Sequence, residues 1–397
     1  MTQTLQPNTL EELSEAVRST GNRAIATVGS GTALGLGNPA LREDIALQMR
    51  GLNRIVDYVP EDQVVVVEAG VTLRDLQGEL GKRGQRLALD PLGGDGATIG
   101  GMLATNAYGP GALRYGTLKD LIVGIELVRA DGVVAHAGGK VVKNVAGFDV
   151  SKLIVGSLGT LAIITKATFR VHPLPEKTTR LAFDAKLEQV FPFVLALREA
   201  QLEPAAIAVR IKGTTTGDDA ETTIEVAFEG FGPGVDAQTA ACIDVAYRSG
   251  LSESDAHRVT LNVVSEANAV EGRRSYRLKA TFPPAEFARI AAEIEGEALA
   301  FPSLGVIYFS GPSTMDPQSG SYAQDDTSEQ SLDRARALRE MFESLGGTLV
   351  VQDMPNGWRG EIDAWGTPPP AFTLMRALKD RFDPEHRLNP GRFVGGL

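Results

Sequence analysis

The sequence predicts an α+β protein in two successive parts, and three observations carry that prediction. In the first 175 residues, short apolar runs alternate with amphipathic segments and glycine-rich stretches. From 176 onward, five strand-like runs are interleaved with longer helical patterns, as expected of helices layered on a mixed or antiparallel sheet. Between the two parts stands His172-Pro173-Leu174-Pro175, where two prolines interrupt helix and ladder alike.

Taken in order, Thr9 caps a helix over 9–20: Glu12 follows three residues on, Leu10, Leu13 and Val17 share a face, and Gly21 stops it. A strand over Ala24–Val28 leads into the first glycine run. Four consecutive valines, 64–67, read as a buried strand, followed by a helix over 72–80 capped by Thr72. Leu121–Val128 and Val133–Ala135 flank Asp131-Gly132, a hairpin turn sequence. A strand over Leu161–Ile164 closes the first part. The second part is expected to hold strands at 206–212, 224–229, 276–281, 304–310 and 348–352, with helices near 235–248, 285–299 and 329–344. Residues 311–328, rich in Ser, Gly, Gln and Asp, read as an exposed loop. A last helix over 370–381 precedes Phe382-Asp383-Pro384 and the terminal Leu388-Asn389-Pro390-Gly391-Arg392. The domains expected are 5–175, 176–352 and a terminal segment 353–397.

At 397 residues the chain can bury sizeable cores. A net charge of −11 argues against nucleic acid, whose binding needs Lys and Arg to neutralise phosphates. The lone Cys242 excludes an intrachain disulfide and an iron–sulfur cluster held by this chain alone. No apolar run approaches the roughly 20 residues of a membrane span. The first residues lack a signal-peptide pattern, so a cytoplasmic protein is expected, or one peripheral at the inner membrane through a complex. The histidines, His136, His172, His257 and His386, are too scattered to suggest a ligand pair, and no metal is expected.

Residues 29–37, Gly-Ser-Gly-Thr-Ala-Leu-Gly-Leu-Gly, follow a strand as a nicotinamide-binding turn would. That turn requires a helix to start inside it, and Gly35, Gly37, Asn38 and Pro39 would break one. Consecutive N–H groups forming a nest for phosphates fit better; a plain strand-end turn remains open. Residues 91–116 hold eight glycines in 26 positions, costly to order unless something must lie flat on the backbone.

The ordered motifs become specific together: Gly-x-Gly-Thr from 29, Ala-Thr-Ile-Gly-Gly-Met-Leu-Ala-Thr-Asn from 97, Arg-Tyr-Gly from 114, Lys-Asn-Val-Ala-Gly-Phe-Asp from 143, and Gly-Ser-Leu-Gly-Thr-Leu from 156. They resemble the FAD domain of the vanillyl-alcohol-oxidase (PCMH-type) flavoproteins, over about residues 8–175. The terminal Phe-Asp-Pro and Leu-Asn-Pro-Gly-Arg resemble that family's returning segment. Within the family, residues 138–153 and Ile362–Gly366 most resemble the FAD-binding (E) subunits of bacterial glycolate oxidases.

The resemblance implies two α+β subdomains binding FAD, an α+β cap domain, and a C-terminal segment packing back on the FAD domain. Gly29, Ser30, Gly31, Thr32, Ala33 and Leu34 would hold the pyrophosphate. Pro91, Thr98, Ile99, Gly100, Gly101, Thr105 and Gly116 would line the flavin and ribityl chain. Ile163 would contact the cofactor through its backbone, and Asn389 would reach toward the isoalloxazine. The first loop has no histidine of the kind that covalent relatives use, so non-covalent FAD is implied. The partners implied are a second flavin subunit, an iron–sulfur subunit and a small 2-hydroxy-acid substrate.

Catalytic residues are less legible. The His-x-Gly-Asp-Gly-Asn metal motif of self-sufficient relatives is missing from the sequence. Arg277 and Lys279, two apart on a strand, share a face, and an arginine there resembles the family's carboxylate-binding cap residue. Two solvated cations fit equally. Arg392 would lie near the cofactor. Arg114 reads as a donor to loop carbonyls, and Tyr115 as packing. Besides a glycolate-oxidase subunit, two readings stay open: a self-standing FAD-dependent dehydrogenase of a D-lactate-like acid, and a non-catalytic scaffold that has kept the flavin fold.

Overall fold

Strand pairing and contacts divide the chain into two units. The computed structural model describes residues 2–139, 149–212, 221–253, 276–294, 296–310 and 329–397. The first unit joins 1–108 and 116–174 to 367–397; the second joins 109–115 to 175–366. The glycolate-oxidase-like stretch 138–153 and the expected loop 311–328 fall largely or wholly outside the described residues, as does His257.

In the first unit, β1 (Gln3–Leu5), β2 (Ile25–Val28) and β3 (Ile45–Gln48) form a parallel sheet ordered β1-β3-β2. Helix α1 (Leu10–Ser19) begins where Thr9 Oγ1 accepts the Glu12 N–H at 3.1 Å. Its Leu13 and Val17 pack with Ile25, Ile45 and Leu47.

A second sheet combines β4 (Ile55–Val59), β5 (Val64–Glu68), β7 (Ile122–Val128), β8 (Val134–Gly138) and β9 (Ile163–Arg170), antiparallel in the order β4-β5-β9-β7-β8. Short β6 (Gln85–Arg86) and β10 (His172–Pro173) pair separately. Helices α2 (Leu73–Gly81) and α3 (Ile99–Thr105) bury Leu76, Leu80, Ile99 and Leu103 with Val65, Val67 and Phe169. Gly132, at φ +76°, closes the β7–β8 hairpin. Residue by residue, one row crosses this sheet: Glu68 is the register partner of Lys166, Lys166 of Glu126, and Glu126 of His136. Arg54 bonds Glu68 at 2.8 Å at one end, and Lys166 and His136 stand 3.1 and 3.5 Å from Glu126. Short α4 (Ala112–Tyr115) belongs to the second unit, while α5 (Leu118–Leu121) and α6 (Val150–Ile154) belong to the first.

The second unit is built on β11 (Lys177–Ala185), β12 (Ala206–Lys212), β13 (Glu221–Gly230), β14 (Ser252–Glu253), β15 (Arg277–Thr281), β16 (Ala298–Phe301), β17 (Val306–Ser310) and β18 (Thr348–Asp353). All pairings described are antiparallel, in the order β14-β11-β13-β12-β16-β17-β15-β18. Alternate residues, among them Phe183, Val209, Val226, Leu278, Ile307 and Val351, meet α7 (Leu187–Glu199), α8 (Gly232–Arg248), α9 (Phe287–Ala291) and α10 (Glu329–Ser344) in one apolar core. Each fully buried side chain of this size contributes about 1.5–3 kcal/mol.

Two expectations for this unit change. The helix expected over 285–299 ends at Ala291, and Gly296, at φ +91°, precedes β16. Ala298–Phe301 instead extends between β12 and β17, because pairing on both edges outweighs local helical preference. Residues 353–366, expected with the terminal segment, stay with the second unit: Trp358 is fully buried against Tyr276, and Val351 N–H reaches the Ala364 carbonyl at 2.8 Å. The last helix, α11 (Phe372–Phe382), returns to the first unit. No helix among the described residues is long and apolar enough to cross a membrane.

Candidate functional site

The glycine run after β2 contains no helix: residues 29–44 form bends and turns between β2 and β3. Its glycines serve different ends. A Cβ on Gly29 would fall 2.1 Å from Thr98 Oγ1, so the first loop lies directly against the start of α3. Gly31, at φ +80°, faces open space: a Cβ there would meet only the Leu34 side chain, at 3.6 Å. The Leu34 side chain itself is exposed.

The second loop is anchored from below. Thr98 is buried and accepts the Gly101 N–H at 3.3 Å. Ile99 N–H bonds the Val71 carbonyl and Gly100 N–H the Ala69 carbonyl, both at 2.8 Å, while the Ile99 side chain is in the core. Thr105 Oγ1 donates to the Gly101 carbonyl at 2.9 Å. At Gly116 the neighbour is Asp120, whose carboxylate accepts the Thr117 N–H. Pro91 is buried, and Ile163 opens β9 in the core.

A third turn completes the cluster. Gly156 and Leu158 donate to the carbonyls of Leu103 and Ala104, each at 2.8 Å, tying this turn to α3. Gly159 abuts Asn389 and Thr27: a Cβ would stand 2.8 Å from Asn389 Nδ2 and 2.9 Å from Thr27 Oγ1. Asn389 is buried, its side chain donates to the Leu158 carbonyl at 2.8 Å, and its backbone N–H donates to the Ile25 carbonyl at 2.9 Å. The structure therefore brings together the 29–34 loop, the 98–101 segment and Asn389. Pro91, Gly116 and Ile163 share their unit, and Arg277 and Lys279 lie in the other.

Arg392 is held by the loop it was expected to accompany. Its guanidinium donates to the carbonyls of Leu34 and Leu36 at 2.6 and 2.5 Å, and its own carbonyl accepts the Asn38 N–H. Burial pulls that guanidinium below the ordinary arginine range. It braces the first loop. Arg114 donates to the Glu229 carbonyl at 2.7 Å and Tyr115 to the Glu229 carboxylate at 3.0 Å, within the second unit.

Arg277 and Lys279 lie on the sheet face opposite the helices, alternating with the core residues Tyr276, Leu278 and Ala280. Lys279 stacks over Tyr308 at 5.4 Å, and burial raises the Tyr308 phenol well above its usual range. The same face carries Arg210 and the buried Glu225, paired at 2.9 Å. No group of His, Cys, Asp and Glu suited to a metal occurs among the described residues.

Three polar atoms test whether FAD fits the glycine loops. Ser30 Oγ, Asn106 Oδ1 and Ser157 Oγ are buried with no hydrogen-bond partner among the described residues. Buried polar atoms rarely stay unpaired, and these belong to the three turns just described. Phosphate oxygens and ribityl hydroxyls offer the acceptors and donors they lack, and Gly31 leaves room for them. Asn106 and Ser157 lie within the quoted motifs but were assigned no role there; a polar residue amid glycines was the available signal.

The comparisons agree with this chemistry. A family model described as FAD binding domain matches residues 2–138. The chain is 28% identical over 412 residues to D-lactate dehydrogenase of Archaeoglobus fulgidus, covering 99% of this chain and 91% of that one. It is 27% identical to glycolate oxidase subunit GlcD of Bacillus subtilis, covering 98% and 88%. A solved alkyldihydroxyacetonephosphate synthase superposes with a TM-score of 0.73 at 17% identity, covering 98% of this chain and 77% of that one, a likeness of fold. The chain is a flavoprotein, with FAD as its cofactor. Residues 2–138 are an FAD-binding domain of the PCMH type.

Proposed function

We propose that the chain is an FAD-dependent oxidoreductase acting on the CH–OH group of a small 2-hydroxy acid, as the FAD-binding subunit of a glycolate-oxidase-type complex. The observation that carries this is the trio of unsatisfied buried atoms at Ser30, Asn106 and Ser157, set among glycine backbone in a chain aligned end to end with two 2-hydroxy-acid enzymes. Bound FAD supplies the hydride acceptor. The chain's own residues divide the remaining work. The 29–34 loop and the 98–101 segment hold the cofactor, Asn389 borders it, and Arg277 with Lys279 takes the substrate carboxylate through charge-assisted bonds. A second flavin subunit and an iron–sulfur subunit would take the electrons onward, since Cys242 cannot hold a cluster by itself.

Native co-purification with a visible spectrum, followed by anaerobic addition of glycolate, tests this. The expected result is a yellow protein in a multi-subunit complex whose flavin colour bleaches with glycolate. The full-length likeness to a D-lactate dehydrogenase supports a second reading, a self-standing enzyme. Bleaching by D-lactate in the isolated chain, without partners, would favour it. A colourless chain that takes up no added FAD would overturn both in favour of a scaffold.

A further inference from the structure

A charged pair inside the first unit has no part in cofactor contact or substrate binding as described above. Lys379, 1% exposed, and Asp383, 0% exposed, are both enclosed, although α11 is otherwise a largely exposed helix. The Lys379 ammonium donates to three acceptors: the Thr160 carbonyl at 2.7 Å, Asp383 Oδ2 at 2.6 Å and the Leu388 carbonyl at 3.0 Å. Asp383 Oδ2 also accepts the Leu388 N–H at 2.7 Å.

Enclosing a lysine is costly, and an apolar pair of similar volume would hold a helix equally well. What an apolar pair cannot do is fix three separate segments by directed bonds. Those segments are α11, the 157–160 turn and the returning Leu388-Asn389. The next residue along, Asn389, bonds Leu158, and Arg392 three residues further bonds the first glycine loop. Ser157, with its unsatisfied hydroxyl, opens the turn that Lys379 closes.

We propose that Lys379, neutralised by Asp383, is a positioning residue for the flavin cradle. It sets the spacing between the 157–160 turn and the Leu388–Arg392 segment, so that Ser157 and Asn389 stand correctly for the cofactor. The proposal rests on FAD occupying the glycine loops.

The test titrates FAD into the flavin-stripped full chain and follows quenching of flavin fluorescence, for the natural sequence, Lys379→Met and Leu80→Ala. Leu80 is fully buried at the end of α2 and serves as a reference for lost stability alone. Lys379→Met is expected to weaken FAD binding about tenfold or more, about 1.4 kcal/mol, and to shift the bound flavin's visible bands. Leu80→Ala is expected to lower the melting temperature with FAD affinity within about twofold of the natural chain, if it stays folded at the assay temperature. Unchanged affinity in Lys379→Met, or an equal loss in Leu80→Ala, would overturn the proposal. If Lys379→Met does not fold, Asp383→Asn gives the same readout, since it keeps an acceptor for Leu388 N–H but removes the counter-charge. A natural chain that takes up no FAD would instead sink the cofactor assignment, and this proposal with it.

Discussion

In the second unit, Phe183, Phe193, Phe228 and Phe342 meet in one continuous apolar core beneath an antiparallel sheet. In the first unit, which has apolar cores of its own, the glycine-rich turns are also held by polar bonds from Asn389 and Arg392, residues far along the chain. Apolar packing tolerates small shifts of side chains, because it is nearly non-directional. Directed bonds to backbone carbonyls do not, and a cofactor lying against backbone needs that exactness of placement. The contrast separates apolar packing, which both units use, from directed bonds that hold the peptide groups of the glycine turns in place.

The largest effect expected from breaking that contrast is at Gly31. Gly31→Val combines a left-handed backbone with a branched side chain in the space left for phosphates. Essentially all bound flavin should be lost, while thermal unfolding of the second unit remains in place; normal flavin content would refute the loop assignment. The reverse experiment is Phe193→Ala, which should cost the second unit about 3–5 kcal/mol in chemical denaturation and leave flavin uptake at low temperature intact. Loss of flavin in step with that destabilisation would show that the units do not behave separately. A smaller change is expected from Arg277→Ala. With one charge-assisted bond removed, KM for the acid should rise about tenfold at full flavin content; an unchanged KM would return Arg277 to a solvated cation.

The smallest effect concerns Glu225. Burial raises its carboxyl pKa, with Arg210 opposing. A folded-state value above the unfolded one favours the protonated form. Its stabilising contribution is therefore full below the ordinary Glu value of 4.5 and is lost as pH rises through the raised folded value. Glu225→Gln should flatten that fall in a pH series of melting temperatures. A profile that keeps its slope would remove Glu225 as the cause.

Local signals in the sequence were legible, and distant ones were not. Thr9 and Thr72 cap their helices as the spacing implies, because a cap is decided within four residues. β12 falls on 206–212 and α10 on 329–344, where periodicity is long and uninterrupted. β11 and α7, over 177–199, were not anticipated, although Leu181 and Phe183 alternate with Arg180, Ala182 and Asp184 much as a half-buried strand should. The first two residues of β16, Ala298 and Leu299, were read as the end of a helix because the strand's identity is decided by strands on both sides, distant in sequence. At the site, glycine and threonine spacing marked the loops. Lys379 and Asp383 stand four residues apart, a spacing common on helix surfaces, and only their enclosure in the fold sets them apart.

The charged row across the five-stranded sheet has a consequence for how that sheet assembles. Sliding β9 by one residue would swap its two faces; sliding it by two would keep the faces but separate Lys166 from Glu126, leaving His136 as the cation beside that buried carboxylate and Arg54 beside Glu68. The four valines of β5 are nearly interchangeable and cannot report such a slip. The ions can: only the native register sets Lys166 opposite both Glu68 and Glu126.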